Sequence, residues 1–433
     1  MMMRTINTVP IPRVEFDGGH VENINLDLYV EHNDSISLAF SEAANGGILT
    51  TKDVNGMVSC SVKYKMLFIT INADAKITFD QGAITMKATL PLHTQVVKDR
   101  HLLRVDVSDF DLQFDTSKIH IDLSGSVLAD VLDKIIFLFK NVVLKAISSV
   151  IDSEVPPALQ SAINDEIIAT NGFAPIYDNI ALDVQIPADP IVTNDAIQLY
   201  VNGTIFDEKV GYKVPGTGIA NLQLDLTQKN QMVVDASQYT VDSLLSVIQE
   251  KGYFRFTLDG DTFDGVAKDY LTTTVLDGFL PGIAAKYGQD VPVAMTFNSK
   301  VAPNSFFTTD QVGAKLTATI DFIVKGEKAV SLTVNEADAT VKPALANFTL
   351  FMDIVQFTVK AISIDQSLIG DVNTTELKVF LNVLFRLAIP VVNQFMAGGL
   401  ALPTEYFGVL VVKQAEFHAK QGFIEMSFVP EFI

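Results

Sequence analysis

The longest run of helical periodicity in the chain extends from Ser126 to Asn171. Its apolar residues recur at three- and four-residue steps, which places them on one stripe of a helix with 3.6 residues per turn. Pro156 and Pro157 are expected to end or kink this helix, because proline lacks an amide donor and disfavours helix in the residue before it. A second helical segment would then reach Ile168. The predicted stripe contains Leu128, Val131, Leu132, Ile135, Leu138, Val142, Ala146 and Ser149.

Alternating apolar and polar residues occupy the chain on both sides of this helix. Between Val21 and Leu123 the period is two, and turn signals such as Asn-Gly separate the runs, which predicts antiparallel strands with one buried face. The apolar positions change phase between Arg104 and Phe114, which predicts a β-bulge near Asp109. Strand periodicity returns from Asn179 to Phe206.

The second half of the chain repeats this order of elements, which indicates an internal structural repeat. Ser237–Lys251 predicts a helix capped at Thr240, several strands follow, and Thr374–Leu400 predicts another long amphipathic helix. The apolar stripes of these two helices contain Leu244 and Ile248, and Leu377, Phe380, Leu381, Leu384, Ala388 and Val391.

A segment rich in Gly and Pro, Asp207–Ala220, separates the two patterns and indicates a linker. We therefore expect an N-terminal domain at residues 1–206, a linker at 207–220 and a C-terminal domain at 221–433. The GTG sequence within the linker lacks the strand and helix of a phosphate-binding loop, so it does not predict a nucleotide site.

The composition indicates a large apolar interior and does not favour phosphate-rich partners. Hydrophobic residues make up 48% of the chain, and its mean hydropathy is +0.29, which indicates a large core or an internal apolar surface. The net charge is −20, with 14 basic and 26 acidic residues in 1–206 and 17 and 25 in 207–433. Nucleic acid and anionic membrane surfaces bind through Lys and Arg clusters, so neither is expected as a partner beyond transient membrane contact.

The sequence contains no recognisable catalytic or metal-binding motif. The one cysteine, Cys60, excludes an internal disulfide and a cysteine-based zinc site, and a buried free thiol is expected. The six histidines lack the spacing of common metal sites, and there is no nucleophile elbow or P-loop. We therefore expect a protein without catalytic activity, metal or cofactor. The N-terminus shows no apolar signal-peptide segment.

Four stretches, taken in order, resemble the family of bactericidal/permeability-increasing protein, lipopolysaccharide-binding protein and the phospholipid and cholesteryl ester transfer proteins. They are the helix Leu128–Ile168 and the segments Ala196–Glu208, Met232–Leu258 and Asn393–Phe428. In the last segment, the family's N…G(F/L)xLP pattern is matched by Asn393, Gly399, Leu402 and Pro403.

This resemblance implies an α+β fold with two tubular lipid-binding barrels, each a twisted antiparallel sheet wrapped on a long helix, joined by a central sheet into a boomerang. It implies extracellular or secretory localisation and an apolar pocket in each barrel for the acyl chains of phospholipid or a similar amphiphile. The predicted lipid-binding residues are therefore those of the helix stripes: Leu128, Val131, Leu132, Ile135, Leu138 and Val142 in the first half, and Leu244, Ile248, Leu377, Phe380, Leu381, Leu384, Ala388 and Val391 in the second.

The sequence departs from the family at three points. The N-terminal helix is missing or reduced to the residues before Val14, so the first barrel is expected to be open or covered by a protein partner. Pro156 stands about where the family has a disulfide-forming cysteine. The basic tip used for lipopolysaccharide is absent, which does not favour lipopolysaccharide as ligand. The alternative to lipid binding or transfer is a scaffold protein that keeps the fold and acts through its acidic surface.

Overall fold

A computed structural model describes residues 6–7, 11–30, 35–66, 69–125, 129–177, 179–212, 222, 232–262, 266–309, 311–401, 404–406 and 410–432. The chain divides into two compact units. The first contains the residues up to Phe173 and Val184–Asn202, and the second contains Ala174–Asp183 and Gly203–Glu431. Helices and antiparallel sheets are both present, so the fold is α+β as predicted.

The first unit is built on one large antiparallel sheet. Its strands are β1 (Ile6–Asn7), β2 (Val14–Phe16), β3 (Gly19–Val30), β4 (Ile36–Ser41), β5 (Gly46–Met66), β6 (Ile69–Val97), β7 (Arg100–Val105), β8 (Ser108–Phe114) and β9 (Ile119–Gly125). The order is β1-β3-β5-β6-β7, with β2 on β3, β4 on β5, and β8 and β9 on β6. Burial alternates along β3 and β6, which confirms strands with one buried face.

Helix α1 (Ala129–Ala169) contributes its middle turns to the core of this unit. Val143, Ile147 and Ile151 are almost fully buried and belong to one apolar cluster with inward side chains of β3, β5 and β6. With 41 residues at 1.5 Å each, the helix is about 61 Å long. It is therefore long enough to extend well beyond this cluster.

The helix does not end at its two prolines. It continues through Pro156 and Pro157, although each lacks the amide that would bond the carbonyl four residues earlier. Those carbonyls belong to Asp152 and Ser153, which are exposed, so water can replace the missing donors. Of the two predicted alternatives, an end or a kink, the end is therefore wrong.

The buried face of α1 also differs from the predicted stripe. Ser149 is exposed, and Val142 is only half-buried, whereas the neighbouring Val143 and Ile147 are fully buried. Val143 and Ile147 each follow a predicted stripe residue, Val142 and Ala146, by one position, which is about 100° around a helix with 3.6 residues per turn. From Val142 onwards the predicted stripe therefore lies to one side of the buried face.

Short strands follow α1: β10 (Phe173–Tyr177), β11 (Ile180–Asp183), β12 (Ile191–Val192), β13 (Ile197–Gln198) and β14 (Ile205–Asp207). β11 pairs with β10 and β14, and β12 pairs with β13. The predicted linker at 207–220 begins at the end of β14, and residues 213–220 lie outside the described residues. The predicted domain boundaries therefore stay a prediction.

The second unit contains two further antiparallel sheets. Its strands are β15 (Met232–Ser237), β16 (Arg255–Leu258), β17 (Val293–Asn298), β18 (Asn304–Phe307), β19 (Val312–Val324), β20 (Glu327–Ala346), β21 (Thr349–Ser367), β22 (Leu400–Ala401), β23 (Glu405–Tyr406), β24 (Leu410–Lys420) and β25 (Phe423–Phe432). The larger sheet has the order β16-β17-β19-β20-β21-β22, with β18 on β19, and the smaller has the order β15-β25-β24-β23.

The helices of this unit are α2 (Gln238–Glu250), α3 (Thr273–Leu276), α4 (Ile283–Tyr287) and α5 (Thr374–Met396). The cap of α2 is Ser237 and not Thr240 as predicted: the Ser237 hydroxyl oxygen accepts from the Thr240 amide at 3.3 Å, because the helix begins at Gln238. α5 begins as predicted but ends at Met396. No helix in the described part of the chain is long and apolar enough to cross a membrane.

Two predictions for the first unit are confirmed. Lys87 pairs with Asp111 and Thr89 with Ser108, which leaves an extra residue and hence a bulge on β8, and Asp109 lies there with a φ of +47°. Cys60 is a buried free thiol, and burial, with a smaller contribution from Asp74, raises its pKa to about 12. The thiol is therefore neutral and poorly nucleophilic in the folded protein.

Asparagine side chains join the long helix of each unit to an edge of its sheet. In the first unit the Asn164 amide oxygen accepts from the Val105 N–H at 2.9 Å, and its nitrogen donates to the Val105 carbonyl at 2.7 Å. In the second unit Asn382 makes the same pair of bonds with Val359, at 2.8 and 3.1 Å. Each amide nitrogen also bonds the carbonyl four residues earlier in its own helix.

Asn393 makes the same pair of hydrogen bonds with Ile354, at another position on β21. Its side-chain oxygen accepts from the Ile354 N–H and its side-chain nitrogen donates to the Ile354 carbonyl, at 2.9 Å each. Beyond Leu350 no strand pairs with this edge of β21 in the part of the chain that is described. The helix amides thus take the place of a neighbouring strand, and an exposed edge is covered. We name these contacts the asparagine clasps.

We predict that Asn382→Leu lowers the free energy of unfolding, because the buried N–H and C=O of Val359 lose their partners at about 1 to 3 kcal/mol for each group. Chemical denaturation of the purified variant measures this loss. The control is Asn335→Leu, which removes an exposed amide bonded only to the Ser363 hydroxyl at 3.1 Å, and which should change stability by less than about 0.5 kcal/mol. Equal effects of the two substitutions would contradict a structural role for the clasp.

Candidate functional site

Helix α5 forms one wall of an apolar cleft in the second unit. Asn373 starts the helix, since its side-chain oxygen accepts from the amides of Thr375 at 3.0 Å and Glu376 at 3.4 Å. The side chains of the helix that are buried in the core are all apolar: Leu377, Phe380, Leu381, Leu384, Phe385 and Ala388. α5 packs along β21, and the asparagine clasps join the two elements.

The second wall is the segment from Val266 to Tyr287, which contains a 3₁₀ turn, α3 and α4. Leu276, Leu280 and Ile283 of this segment are fully buried in the same core as α5. The Asp277 carboxylate accepts from the amides of Gly282 at 3.1 Å and Ala284 at 3.0 Å, which fixes the turn between the two short helices. The wall is therefore anchored by both packing and hydrogen bonds.

Between these walls lies a cleft of about 260 Å³, here called the α5 cleft. Within it the Phe279 and Phe380 rings are in contact, with 4.7 Å between centroids. The cleft is lined by Tyr270, Val275, Phe279, Val379, Phe380, Val383, Leu384 and Leu387. None of these side chains is charged, so the cleft suits a hydrocarbon group and offers no ligand for a metal ion.

Apolar side chains also surround the opening of the cleft. Val379, Val383 and Leu387 expose 55%, 53% and 41% of their surface, and Tyr270 and Val275 on the opposite wall are exposed as well. Scattered exposed apolar residues are normal on proteins, but a contiguous group beside a groove indicates a contact surface. α5 is thus apolar on the face toward the core and on the face toward the cleft.

The predicted residues of α5 fall into two groups. Phe380 and Leu384 line the cleft, whereas Leu377, Leu381 and Ala388 are buried and do not appear among its lining side chains. The side chain of Val391 lies outside the described residues. Leu244 and Ile248 are half-buried on α2, which packs against β14, β15 and β18, so they are not brought to the cleft.

The predicted pocket of the first unit stays a prediction. Leu128 lies outside the described residues, and so do the side chains of Val131, Leu132, Ile135 and Leu138 within α1. Val142 is described and is half-buried beside the core.

Six lining residues were missed by the sequence analysis: Tyr270, Val275, Phe279, Val379, Val383 and Leu387. Three of them, Val379, Val383 and Leu387, recur every four residues, so a second apolar stripe was visible in the sequence of α5. The other three belong to a segment without helical or strand periodicity, and no local pattern indicates that it would lie against α5.

Ionisable groups with raised pKa values lie outside the cleft. Asp235 on β15 is directly opposite Glu425 on β25, and both carboxylate oxygens of Asp235 are buried without a hydrogen-bond partner. Burial, and then the charge of Glu425, raise the pKa of Asp235 to about 6, while Lys420 acts in the opposite direction. Among the described residues no group of three or more His, Cys, Asp or Glu could hold a metal ion.

We predict that Leu381→Ala destabilises the protein by about 2 to 5 kcal/mol, because truncation of a fully buried leucine leaves a sealed cavity. Leu384→Ala should cost at least about 1 kcal/mol less, because the lost volume only enlarges an existing cleft. Both changes lie in the same helix, so the difference in unfolding free energy isolates the cavity term. Equal losses would mean that the cleft is closed over Leu384.

The carboxylate pair predicts a pH effect on stability. The pKa of Asp235 is higher in the folded protein, about 6, than the ordinary value of 3.8, so the folded state binds more protons between these values. Stability should therefore fall as the pH rises from about 4 through 6. Asp235→Asn should remove that decrease and raise the melting temperature at pH 7.5, whereas Asp353→Asn, at an exposed carboxylate of β21, should leave the profile unchanged. A wild-type decrease that persists in Asp235→Asn would contradict the assignment.

Comparisons with known proteins place the chain in a family. The C-terminal domain model of the LBP / BPI / CETP family matches residues 176–427, which is more than half of the chain. Lipopolysaccharide-binding protein from Homo sapiens is 24% identical over 178 residues, which cover 40% of this chain and 36% of that protein. The chain therefore matches about a third of the length of this relative. A crystal structure of lipopolysaccharide binding protein aligns over 98% of this chain and 93% of that chain, with 18% identity and a TM-score of 0.47. Since the family model covers more than half of the chain, the protein belongs to the LBP/BPI/CETP family of lipid-binding and lipid-transfer proteins.

Proposed function

We propose that this protein binds or transfers phospholipid or a related amphiphile without catalysis, and that an alkyl chain of the ligand occupies the α5 cleft. The observation that carries the proposal is the uncharged cleft of about 260 Å³ with exposed apolar side chains at its opening. Ligand sites are typically concave and mostly apolar. Burial of an alkyl chain contributes about 0.8 kcal/mol per methylene, which gives useful affinity without a charged contact.

The name of the human relative raises lipopolysaccharide as a candidate amphiphile. The charge of this chain supports a zwitterionic or uncharged headgroup instead, because a net charge of −20 repels the phosphates of lipopolysaccharide. The cleft itself offers no cationic side chain to an anionic group. Our proposal therefore favours amphiphiles without net negative charge.

Four further expectations belong to this proposal. The family resemblance supports a secreted or extracellular protein, a tubular barrel in each unit, and a second apolar pocket along α1. We also expect a protein partner that covers the first barrel. The competing proposal is a scaffold that retains the fold and acts through its acidic surface.

Native mass spectrometry of gently purified protein tests the proposal. We expect extractable phospholipid or a related amphiphile at a defined stoichiometry. Val383→Phe should lose that part of the bound lipid held in the α5 cleft, because the larger ring fills the cleft while the surface stays apolar. The same variant should retain the melting temperature of the wild type to within a few degrees, since Val383 is already half exposed.

The matched control is Val355→Phe, at a valine of β21 that is 52% exposed and does not line the cleft. It should carry as much lipid as the wild type. Wild-type protein that is free of lipid and takes up none from zwitterionic vesicles would overturn the proposal and leave the scaffold. Loss of lipid in both variants would show that the cleft is not the site.

A further inference from the structure

Helix α5 begins at a tripeptide with the N-x-Ser/Thr pattern of N-linked glycosylation, Asn373-Thr374-Thr375. So short a pattern often arises by chance, and its meaning depends on what surrounds the two residues that it requires. Both residues lie on the surface, within a continuous exposed segment at 373–376. The start of α5 therefore has room for a large polar group.

The side chain of Asn373 uses only one end of its amide. Its Oδ1 accepts from the amides of Thr375 at 3.0 Å and Glu376 at 3.4 Å, whereas within the described residues its Nδ2 donates no hydrogen bond. N-linked glycans are attached through Nδ2, and the modified side chain is still an amide with its carbonyl oxygen. A glycan can therefore be added without loss of the helix cap.

The structure gives no other reason for a threonine at position 375. Its backbone amide donates to Asn373, but its hydroxyl forms no hydrogen bond to any described residue. Threonine is also a weaker helix former than alanine or glutamate, because its β-branched side chain loses freedom in a helix. A hydroxyl at this position is, however, what the glycosylation pattern requires.

The same pattern occurs at Asn202 and at Asn347, and there a required residue has a structural role. Thr204 is fully buried, and its hydroxyl lies 2.7 Å from the Tyr239 hydroxyl in a hydrogen bond. Asn347 has a φ of +48° in the turn between β20 and β21, a left-handed conformation in which asparagine is enriched. A further occurrence, at Asn33, lies outside the described residues. Asn373 thus differs from the two described alternatives.

We propose that Asn373 is a site of N-linked glycosylation, with a lipid-linked oligosaccharide diphosphate as the donor. The Asn373 Nδ2 forms a bond to the anomeric carbon of the first sugar, and the bond from that carbon to the diphosphate oxygen breaks. One amide proton passes to a base of the transferase, and the lipid diphosphate leaves. Glycosylation of Asn373 is independent of lipid binding and rests on the secreted or extracellular localisation expected for this chain.

Expression of the full chain behind a cleavable signal sequence in cultured eukaryotic cells tests the proposal. Secreted and cell-associated protein are both collected, so that the result does not depend on export. Digestion with a peptide N-glycosidase in water labelled with heavy oxygen, followed by peptide mass spectrometry, identifies each asparagine that carried a glycan. We expect Asn373 to be modified in most molecules. An unmodified Asn373 in the wild type would overturn the proposal.

Substitutions of Thr375 separate the glycosylation pattern from the helix cap. Thr375→Val keeps the shape of the side chain without its hydroxyl and should abolish the modification of Asn373, whereas Thr375→Ser should retain it. Both variants leave the Asn373 cap in place, so loss of modification in the valine variant alone supports the proposal. A modified Asn373 in Thr375→Val would contradict it.

Two measurements keep this proposal apart from stability and from lipid binding. Asn373→Asp, made in bacteria, should melt within a few degrees of bacterial wild type, because aspartate caps a helix as well as asparagine does. Asn373 does not line the α5 cleft, so native mass spectrometry should find equal lipid in wild type and Thr375→Val from eukaryotic cells. Protein with lipid but without a glycan on Asn373 would overturn this proposal and leave the proposed function standing.

Discussion

The asparagine clasps are the contact on which the second unit's architecture depends. A long helix laid beside the last full strand of a sheet must satisfy the outward N–H and C=O groups of that strand, because unpaired buried peptide groups are costly. Asn382 and Asn393 do this with one amide each, since an amide offers both a donor and an acceptor at the spacing of a peptide group. Asn164 does the same in the first unit, so the repeat extends to individual hydrogen bonds.

Because Asn382 and Asn393 satisfy the edge of β21, the other faces of α5 can be apolar. One face of the helix carries the clasps, a second enters the core, and a third, with Val379, Val383 and Leu387, faces the cleft. A helix with only one apolar stripe would close against the sheet and present charged residues to solvent.

The cleft also depends on its second wall, which packs into the same core as α5 and has hydrogen bonds of its own. Leu276, Leu280 and Ile283 are fully buried, and the Asp277 carboxylate accepts from the amides of Gly282 and Ala284, which fixes the turn between the short helices. The side chains that line the cleft are all uncharged.

The sequence by itself determined those properties that depend on residues close together in the chain. Alternation in β3 and β6, the bulge at Asp109, the start of α5 and the lack of an internal disulfide at Cys60 all follow from local periodicity, turn chemistry or composition. The tertiary structure alone decided which surfaces meet. Nothing local relates Phe279 to Phe380, or Asn382 to Val359, because these pairs are brought together only when the sheet and α5 pack. The same holds for the continuation of α1 through its prolines, which depends on the carbonyls of Asp152 and Ser153 lying on the exposed side of the helix. Periodicity defines an apolar stripe, but whether a stripe becomes core, as at Leu381, or a binding surface, as at Val383, is set by what the rest of the chain places against it.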